Sequence, residues 1–231
     1  MKTIGLIGGM SWESSHEYYQ IINETVKEYL GGLHSAKSIM YSFDFDEIES
    51  LQHQGRWVEL GKLVIDAAQK LEKVGADLIV ICTNTVHKVA DEVQNNINIP
   101  LWHIVDATAE KINEKGLRKV GLLGTKFTME EGFYKNRLTE KYGLQVIIPK
   151  REGRQIIHDI IYRELVIGLI EERSKVKFIE IIQQLKTMGV QGIILGCTEI
   201  PLLIKQEDVD LPLFDTTTIH ASSAAKYALR T

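Results

Sequence analysis

Cysteine is scarce in this chain, with two in 231 residues. That is too few for a disulfide framework and fits free thiols in a reducing, cytoplasmic compartment. No apolar run approaches the ~18 residues of a membrane span. The short run near the start breaks at Gly8 and Gly9 and lacks a cleavage-site pattern, so it reads as a first core strand rather than a signal segment. There is no basic stripe: 27 Lys and Arg stand against 31 Asp and Glu, for a net charge of −4 at pH 7, and nucleic acid is not an expected partner. The dinucleotide fingerprint is missing, because the glycines stand at 5, 8 and 9, out of the G-x-G-x-x-G register. The G-x-S-x-G elbow of serine hydrolases is missing too. Cys82 and His87 lie five apart with no second pair nearby, a poor zinc signature, and no metal is expected. Hydrophobic residues at 44% supply enough apolar material for one or two proper cores.

The chain does contain one segment twice. Residues 75–85, which end in Cys82-Thr83-Asn84-Thr85, align without a gap on residues 189–199, which end in Gly196-Cys197-Thr198-Glu199. Each is an apolar strand running into a short polar turn, and the register sets Thr83, not Cys82, opposite Cys197. Residues 4–9 likewise resemble 120–125, and 99–102 resemble 211–214, each of the latter pair followed by an aspartate (Asp106, Asp215) and a helix. The three offsets are 116, 114 and 112 residues, too long for a solenoid, whose periods are roughly 20–50.

Short β-branched runs alternate with longer amphipathic stretches, the pattern of an α/β protein with parallel sheets. Strands are expected over 3–7, 38–43, 77–81, 101–103, 119–123, 145–148, 192–195 and 213–214. Helices are expected over 12–29, 57–74, 86–95, 105–115, 129–141, 155–170, 174–188 and 219–229. The fold class is therefore α/β, with two pseudo-symmetric lobes, each a mostly parallel sheet flanked by helices, and a site in the cleft between them. The first lobe spans 1–105 and the second 106–214, and the first is one support open to the C-terminal helix, 215–231.

Gly8-Gly9-Met10-Ser11-Trp12 follows the first strand. A glycine turn opening a helix exposes backbone N–H groups that favour anions, with Ser11 as N-cap. The alternative is a tight turn that binds nothing. Thr83-Asn84-Thr85 and Cys197-Thr198-Glu199 lie beyond the C-terminal ends of strands, where open α/β sheets bind ligands. Their hydroxyl, amide and N–H groups suit a carboxylate. A helix N-terminus there should lower the Cys197 thiol from its usual ~8.5. Cys82 continues the apolar run and turns away from Thr83, as a core residue does. His34, His53, His103 and His220 are scattered, with solvated or satisfied core positions as the default.

On Gly8-Gly9-Met10-Ser11-Trp12, Asn84-Thr85-Val86-His87 and Gly196-Cys197-Thr198-Glu199, the whole chain resembles the aspartate/glutamate racemase family of cofactor-independent amino-acid racemases. Glutamate racemases carry histidine in place of Glu199, so the last motif is similar to the aspartate-racemase branch. The resemblance implies two pseudo-symmetric lobes, a homodimer, an amino-acid substrate and no cofactor. It also implies a pair of cysteines that move the α-proton on opposite faces. Asn84, Thr85 and Thr198 become binders of the carboxylate and ammonium, with Glu199 beside them, and Met10 and Thr125 line the cleft. Gln52 matches a position near a side-chain-recognising arginine. Glutamine cannot form that ion pair, which argues against strict aspartate specificity.

The departure is at the first cysteine, whose place before Asn-Thr is held by Thr83. A hydroxyl is a far weaker acid than a thiol, so the expected pair is Cys197 as main acid/base and Thr83 as a slower partner. Two other readings stay open: a related isomerase or decarboxylase, and an amino-acid-binding protein without catalysis.

Overall fold

The structure is a computed structural model and describes residues 1–230. The chain divides into two compact units, Met1–Ile104 with the segment from Thr217 onward, and Val105–Thr216.

The first unit runs β1 (Ile4–Gly8), α1 (Trp12–Leu30), β2 (Ser38–Ser42), α2 (Phe45–His53), α3 (Trp57–Lys73), β3 (Leu78–Ile81), α4 (Ala90–Gln94) and β4 (Leu101–Trp102). A 3₁₀ turn, Thr85–Val89, links β3 to α4. The helix α5 (Ile104–Glu114) carries the chain into the second unit, which continues β5 (Lys119–Gly124), α6 (Lys126–Glu130), α7 (Gly132–Asn136), β6 (Gln145–Ile147), α8 (Arg151–Arg163), α9 (Glu172–Thr187), β7 (Ile193–Gly196), α10 (Ile200–Leu203) and β8 (Leu213–Asp215). The last helix, α11 (Thr216–Leu229), returns the chain to the first unit.

Both sheets are wholly parallel and have the same order, β2-β1-β3-β4 and β6-β5-β7-β8. Every residue of β1, β3 and β7 is buried, as expected for strands covered on both faces. On α3 the buried residues Leu60, Val64, Ala67, Ala68 and Leu71 recur at helical spacing and join Ile7, Ile79 and Ile81 in one core cluster. The other face of this sheet is closed by Tyr18, Ile22 and Val26 of α1 and by Ala221, Ala224, Ala225 and Ala228 of α11. Four alanines on one stripe let the terminal helix lie close to the strands of the first unit. Each large aliphatic side chain buried in this way contributes roughly 1.5–3 kcal/mol.

The strands lie where the apolar runs put them, but the helices depart from expectation in four places. α2 was not anticipated from the sequence. Residues 129–141 do not form one helix: Glu131 adopts an extended conformation (ψ 154°) between α6 and α7, and a π turn covers Arg137–Lys141. The helix expected over 155–170 begins at Arg151 and ends at Arg163, where Glu164 leaves helical geometry (φ −126°). Residues 86–95 are a 3₁₀ turn followed by the five residues of α4, not a continuous helix.

Candidate active site

In a sheet of order 2-1-3-4 the chain reverses its direction of travel between the first and third strands, and ligands of open α/β sheets lie beyond the C-terminal ends of that pair. In the first unit these ends are Gly8-Gly9-Met10-Ser11 after β1 and Cys82-Thr83-Asn84-Thr85 after β3. In the second they are Gly124-Thr125 after β5 and Gly196-Cys197-Thr198-Glu199 after β7. Most of the residues singled out from sequence therefore stand on the two switch points of the fold.

Strand register checks the internal repeat independently. Ile7 pairs with Ile81 in the first sheet, and Leu123 pairs with Leu195 in the second. Residue 81 is 114 before residue 195, the offset of the gapless alignment. Two residues further on, Thr83 thus holds in one unit the position that Cys197 holds in the other.

The β1 tip folds around its glycines. Gly9 has φ +80°, and a Cβ there would come within 2.2 Å of the Phe43 carbonyl oxygen, so only glycine fits. Its N–H donates to Ser15 Oγ (2.7 Å), and the Ser15 hydroxyl donates to the Ser11 carbonyl (2.9 Å). Ser11 caps α1, accepting from the Ser14 N–H. Met10 is buried in the cluster that holds Ile48 and Leu51 of α2. Gln52 is also buried, two turns into α2, off the four strand tips.

At the β3 tip, Cys82 and Thr83 have different environments. Cys82 is fully buried in the core cluster with Leu78 and Val80, and burial pushes its thiol well up from the ordinary range. Thr83 is half-buried. Asn84 and Thr85 are buried, and Asn84 accepts the His87 N–H at its carbonyl (3.1 Å). A residue that sequence reasoning set aside helps to hold this turn: the Nδ1–H of His87 donates to the Thr83 carbonyl (2.7 Å). His103 and His220 are buried beside His87, whereas His34 and His53 are exposed.

At the β7 tip, Gly124 and Gly196 let β5 and β7 meet closely. A Cβ on Gly196 would fall 2.9 Å from the Leu123 carbonyl oxygen. The half-buried Cys197 donates its S–H to Glu199 Oε2 (2.9 Å), and the Thr198 hydroxyl donates to the same oxygen (2.7 Å). Thr125 caps α6 by accepting the Thr128 N–H. Thr216, not anticipated from sequence, donates its hydroxyl to the Leu195 carbonyl two residues before Cys197 (2.8 Å).

The expected lowering of the Cys197 thiol is corrected by this geometry. Burial, then the charge of Glu199 and its hydrogen bond, hold the thiol well above its ordinary value, against smaller opposing hydrogen bonds from the backbone of Glu199 and Thr198. The helix that follows, α10, has only four residues, so its dipole is too small to reverse the balance. The thiol is thus protonated at rest, with its S–H directed at the Glu199 carboxyl group. Among the described residues no group of three or more His, Cys, Asp or Glu is arranged to hold a metal ion, and no helix is long and apolar enough to cross a membrane.

Residues 7–224 match the sequence model of the Asp/Glu/Hydantoin racemase family. A broad specificity amino-acid racemase of Bacillus subtilis is 27% identical over 172 residues, covering 71% of this chain and 70% of the relative. Among solved structures, a Yersinia pestis protein provisionally assigned as an Asp/Glu racemase is 55% identical, with a TM-score of 0.95 and 100% of both chains covered. An aspartate racemase homologue from Pyrococcus horikoshii is 40% identical, with a TM-score of 0.87 and 99% of both chains covered.

Proposed function

Because the chain belongs to the Asp/Glu/Hydantoin racemase family, we propose that it racemises free amino acids without pyridoxal phosphate, using Cys197 and Thr83 on opposite faces of the α-carbon. It is an isomerase of the racemase class, and the proposal concerns its chemical groups and substrates. The observation that carries the proposal is the equivalence of Thr83 and Cys197 at the two switch points, with the Cys197 thiol donating to Glu199 (2.9 Å).

The α-proton of an amino acid is very weakly acidic, so the base has to be generated in place and the developing negative charge stabilised. Glu199 takes the thiol proton across the 2.9 Å contact. The positive charge of an incoming ammonium group favours the resulting thiolate, which removes the α-proton. Asn84, Thr85 and Thr198 are the polar groups proposed to bind the carboxylate and ammonium, and Thr125 is proposed as a further substrate-binding residue. On the other face the Thr83 hydroxyl passes a proton to the carbanion while taking one from water, and the proton held by Glu199 returns to the hydroxide so formed, so neither free alkoxide nor hydroxide is left. General acid and base groups of this kind contribute about 10²–10⁴-fold each.

The substrates proposed are aspartate, glutamate and a wider set of amino acids. Gln52 is neutral and cannot demand a second carboxylate, and the Bacillus subtilis relative is named for broad specificity. The free thiols fit the cytoplasm, and a homodimer is the assembly expected for a chain of this kind. Incubation with single L- and D-amino acids in D₂O, without added cofactor, tests the reading. α-Deuteration and inversion are expected for at least one acidic amino acid, and both should disappear in Cys197→Ser. No exchange with any amino acid, or exchange that survives Cys197→Ser, overturns the proposal.

A further inference from the structure

The tip that carries Thr83 is held in a way that its counterpart is not. The repeat sets Pro201 opposite His87, and the Cys197 carbonyl is bonded by a backbone donor, the Ile200 N–H (3.2 Å). The Thr83 carbonyl is bonded by a side chain, His87 Nδ1 (2.7 Å). Thr83 also lies one residue past a fixed point, since the Cys82 N–H donates to the Ile7 carbonyl (2.9 Å). With its own carbonyl gripped and the preceding residue paired to β1, little freedom is left at the Thr83 Cα, and the direction of its Cα–Cβ bond follows.

His87 is itself built in. Its Nε2 accepts the Ile104 N–H (3.2 Å), so the ring has to be neutral, with its proton on Nδ1. The ring lies 4.7 Å from that of His103 and 5.5 Å, edge-on, from that of His220. His220 is fixed in turn by the Tyr18 hydroxyl at Nδ1 (2.8 Å) and the Trp102 carbonyl at Nε2 (2.6 Å). These contacts tie the imidazole to α1, β4, α11 and the start of α5. His87, His103 and His220 are all buried.

We infer that His87 is a positioning residue for the Thr83 half of the reaction: its Nδ1–H grips the Thr83 carbonyl and sets the direction of the Thr83 hydroxyl. The inference rests on the proposed role of Thr83. A two-base reaction separates the halves, because each enantiomer loses its α-proton to a different group. Exchange in D₂O is followed for L- and D-glutamate and L- and D-aspartate in the intact protein, in Thr83→Val, in His87→Ala and in His87→Asn.

Thr83→Val identifies the enantiomer that depends on Thr83. For that enantiomer His87→Ala should lower exchange on the order of 10²-fold, as a displacement of about 1 Å does, while exchange of the other enantiomer changes by less than about 3-fold. Asn places an N–H near the position of Nδ1 but offers nothing comparable to Nε2, so His87→Asn should recover most of the loss although both variants lack the Ile104 acceptor. A purely structural role lowers both enantiomers together and gives the two variants the same deficit, and either result overturns the inference. If Thr83→Val suppresses one enantiomer and His87→Ala does not, the inference alone fails. If Thr83→Val changes neither, the role of Thr83 fails and the inference with it. The unmodified protein supplies a check that does not depend on folding of a variant. ¹⁵N NMR of the imidazoles at neutral pH should show His87 neutral with its proton on Nδ1, and a proton on Nε2 overturns the assignment.

Discussion

The Sγ of Cys197 lies 2.9 Å from Oε2 of Glu199, and the hydroxyl of Thr198 shares that oxygen at 2.7 Å. The carboxylate thus has two effects on the thiol. Its charge and hydrogen bond add to burial in raising the thiol pKa, and in the proposed reaction it is the acceptor for the thiol proton. Glu199→Gln separates these effects. Without the negative charge the thiol pKa should fall, so alkylation of Cys197 by iodoacetamide at pH 7–8 should become faster. Turnover should move the other way, falling by about 10²-fold or more as the acceptor is lost. The buried Cys82 does not confuse the alkylation readout. If turnover rises together with alkylation, Glu199 is only a brake on the thiol and not its proton acceptor.

Thr83→Cys should accelerate exchange of the enantiomer that depends on this face, because a thiol is a far stronger acid than a hydroxyl. Cys82→Ser should leave turnover within a few-fold of the parent. Enantiomers have equal free energy in water, so kcat/KM for racemisation stays equal in the two directions in every active variant. The asymmetry is visible in exchange without inversion and in kcat and KM separately. Loss of activity in Cys82→Ser with a native circular dichroism spectrum assigns the second acid/base to Cys82 instead of Thr83.

Burial of Cys82 has a consequence for stability at alkaline pH. Its thiol is raised in the folded state, so the folded protein keeps a proton that the unfolded chain loses above about 8.5. Stability from this group is intact below that value and is lost as pH rises toward the folded-state pKa, by at most about 1.4 kcal/mol per pH unit. Cys82→Ala removes the titrating group. Urea unfolding between pH 8.5 and 10 should show a shallower decline in the variant, and identical slopes contradict the burial of an ionisable thiol.

The strands and their tips were legible in the sequence because parallel strands covered on both faces are short apolar runs, and a repeat fixes their register twice over. Thr83 was separated from Cys82 by that register and by its place directly before Asn84-Thr85, and β1–β3 and β5–β7 pairing reproduces the register. The helices were less legible where their apolar stripe is short. α2 buries only Ile48, Leu51 and Gln52 over its nine residues, too few to mark a period. His87 went unrecognised for a different reason. Its acceptors and donors are backbone groups of Thr83 and Ile104, and such partners have no signature in side-chain type. The Cys197 thiol was misjudged because a carboxylate two residues ahead and burial outweigh a helix end that proved to be one turn long.

The aspartates that follow the two repeated strands, Asp106 and Asp215, look equivalent in sequence, but Asp106 carries a network of its own. Both its carboxylate oxygens accept from Arg137, at Nε (2.6 Å) and at an Nη (2.7 Å), and Lys141 adds a third contact at 2.7 Å. Burial penalises the Asp106 charge, but the bonds from Arg137 and Lys141 outweigh it and hold the carboxyl below the ordinary carboxylate range. A lowered folded-state pKa stabilises the protein above the unfolded value of about 3.9 and ceases to do so as pH falls through the folded one. The side chains of Asp106 and Arg137 are only about one-fifth to one-quarter exposed, so the bidentate pair is better sheltered than a surface ion pair. Asp106→Asn should therefore cost about 2 kcal/mol at pH 7, the range of charged hydrogen bonds. In paired urea titrations the difference from the parent should shrink as pH falls below about 4, because protonation of Asp106 removes the same interaction from the parent. A deficit that stays constant from pH 7 to pH 3 means that the amide disturbs packing rather than charge.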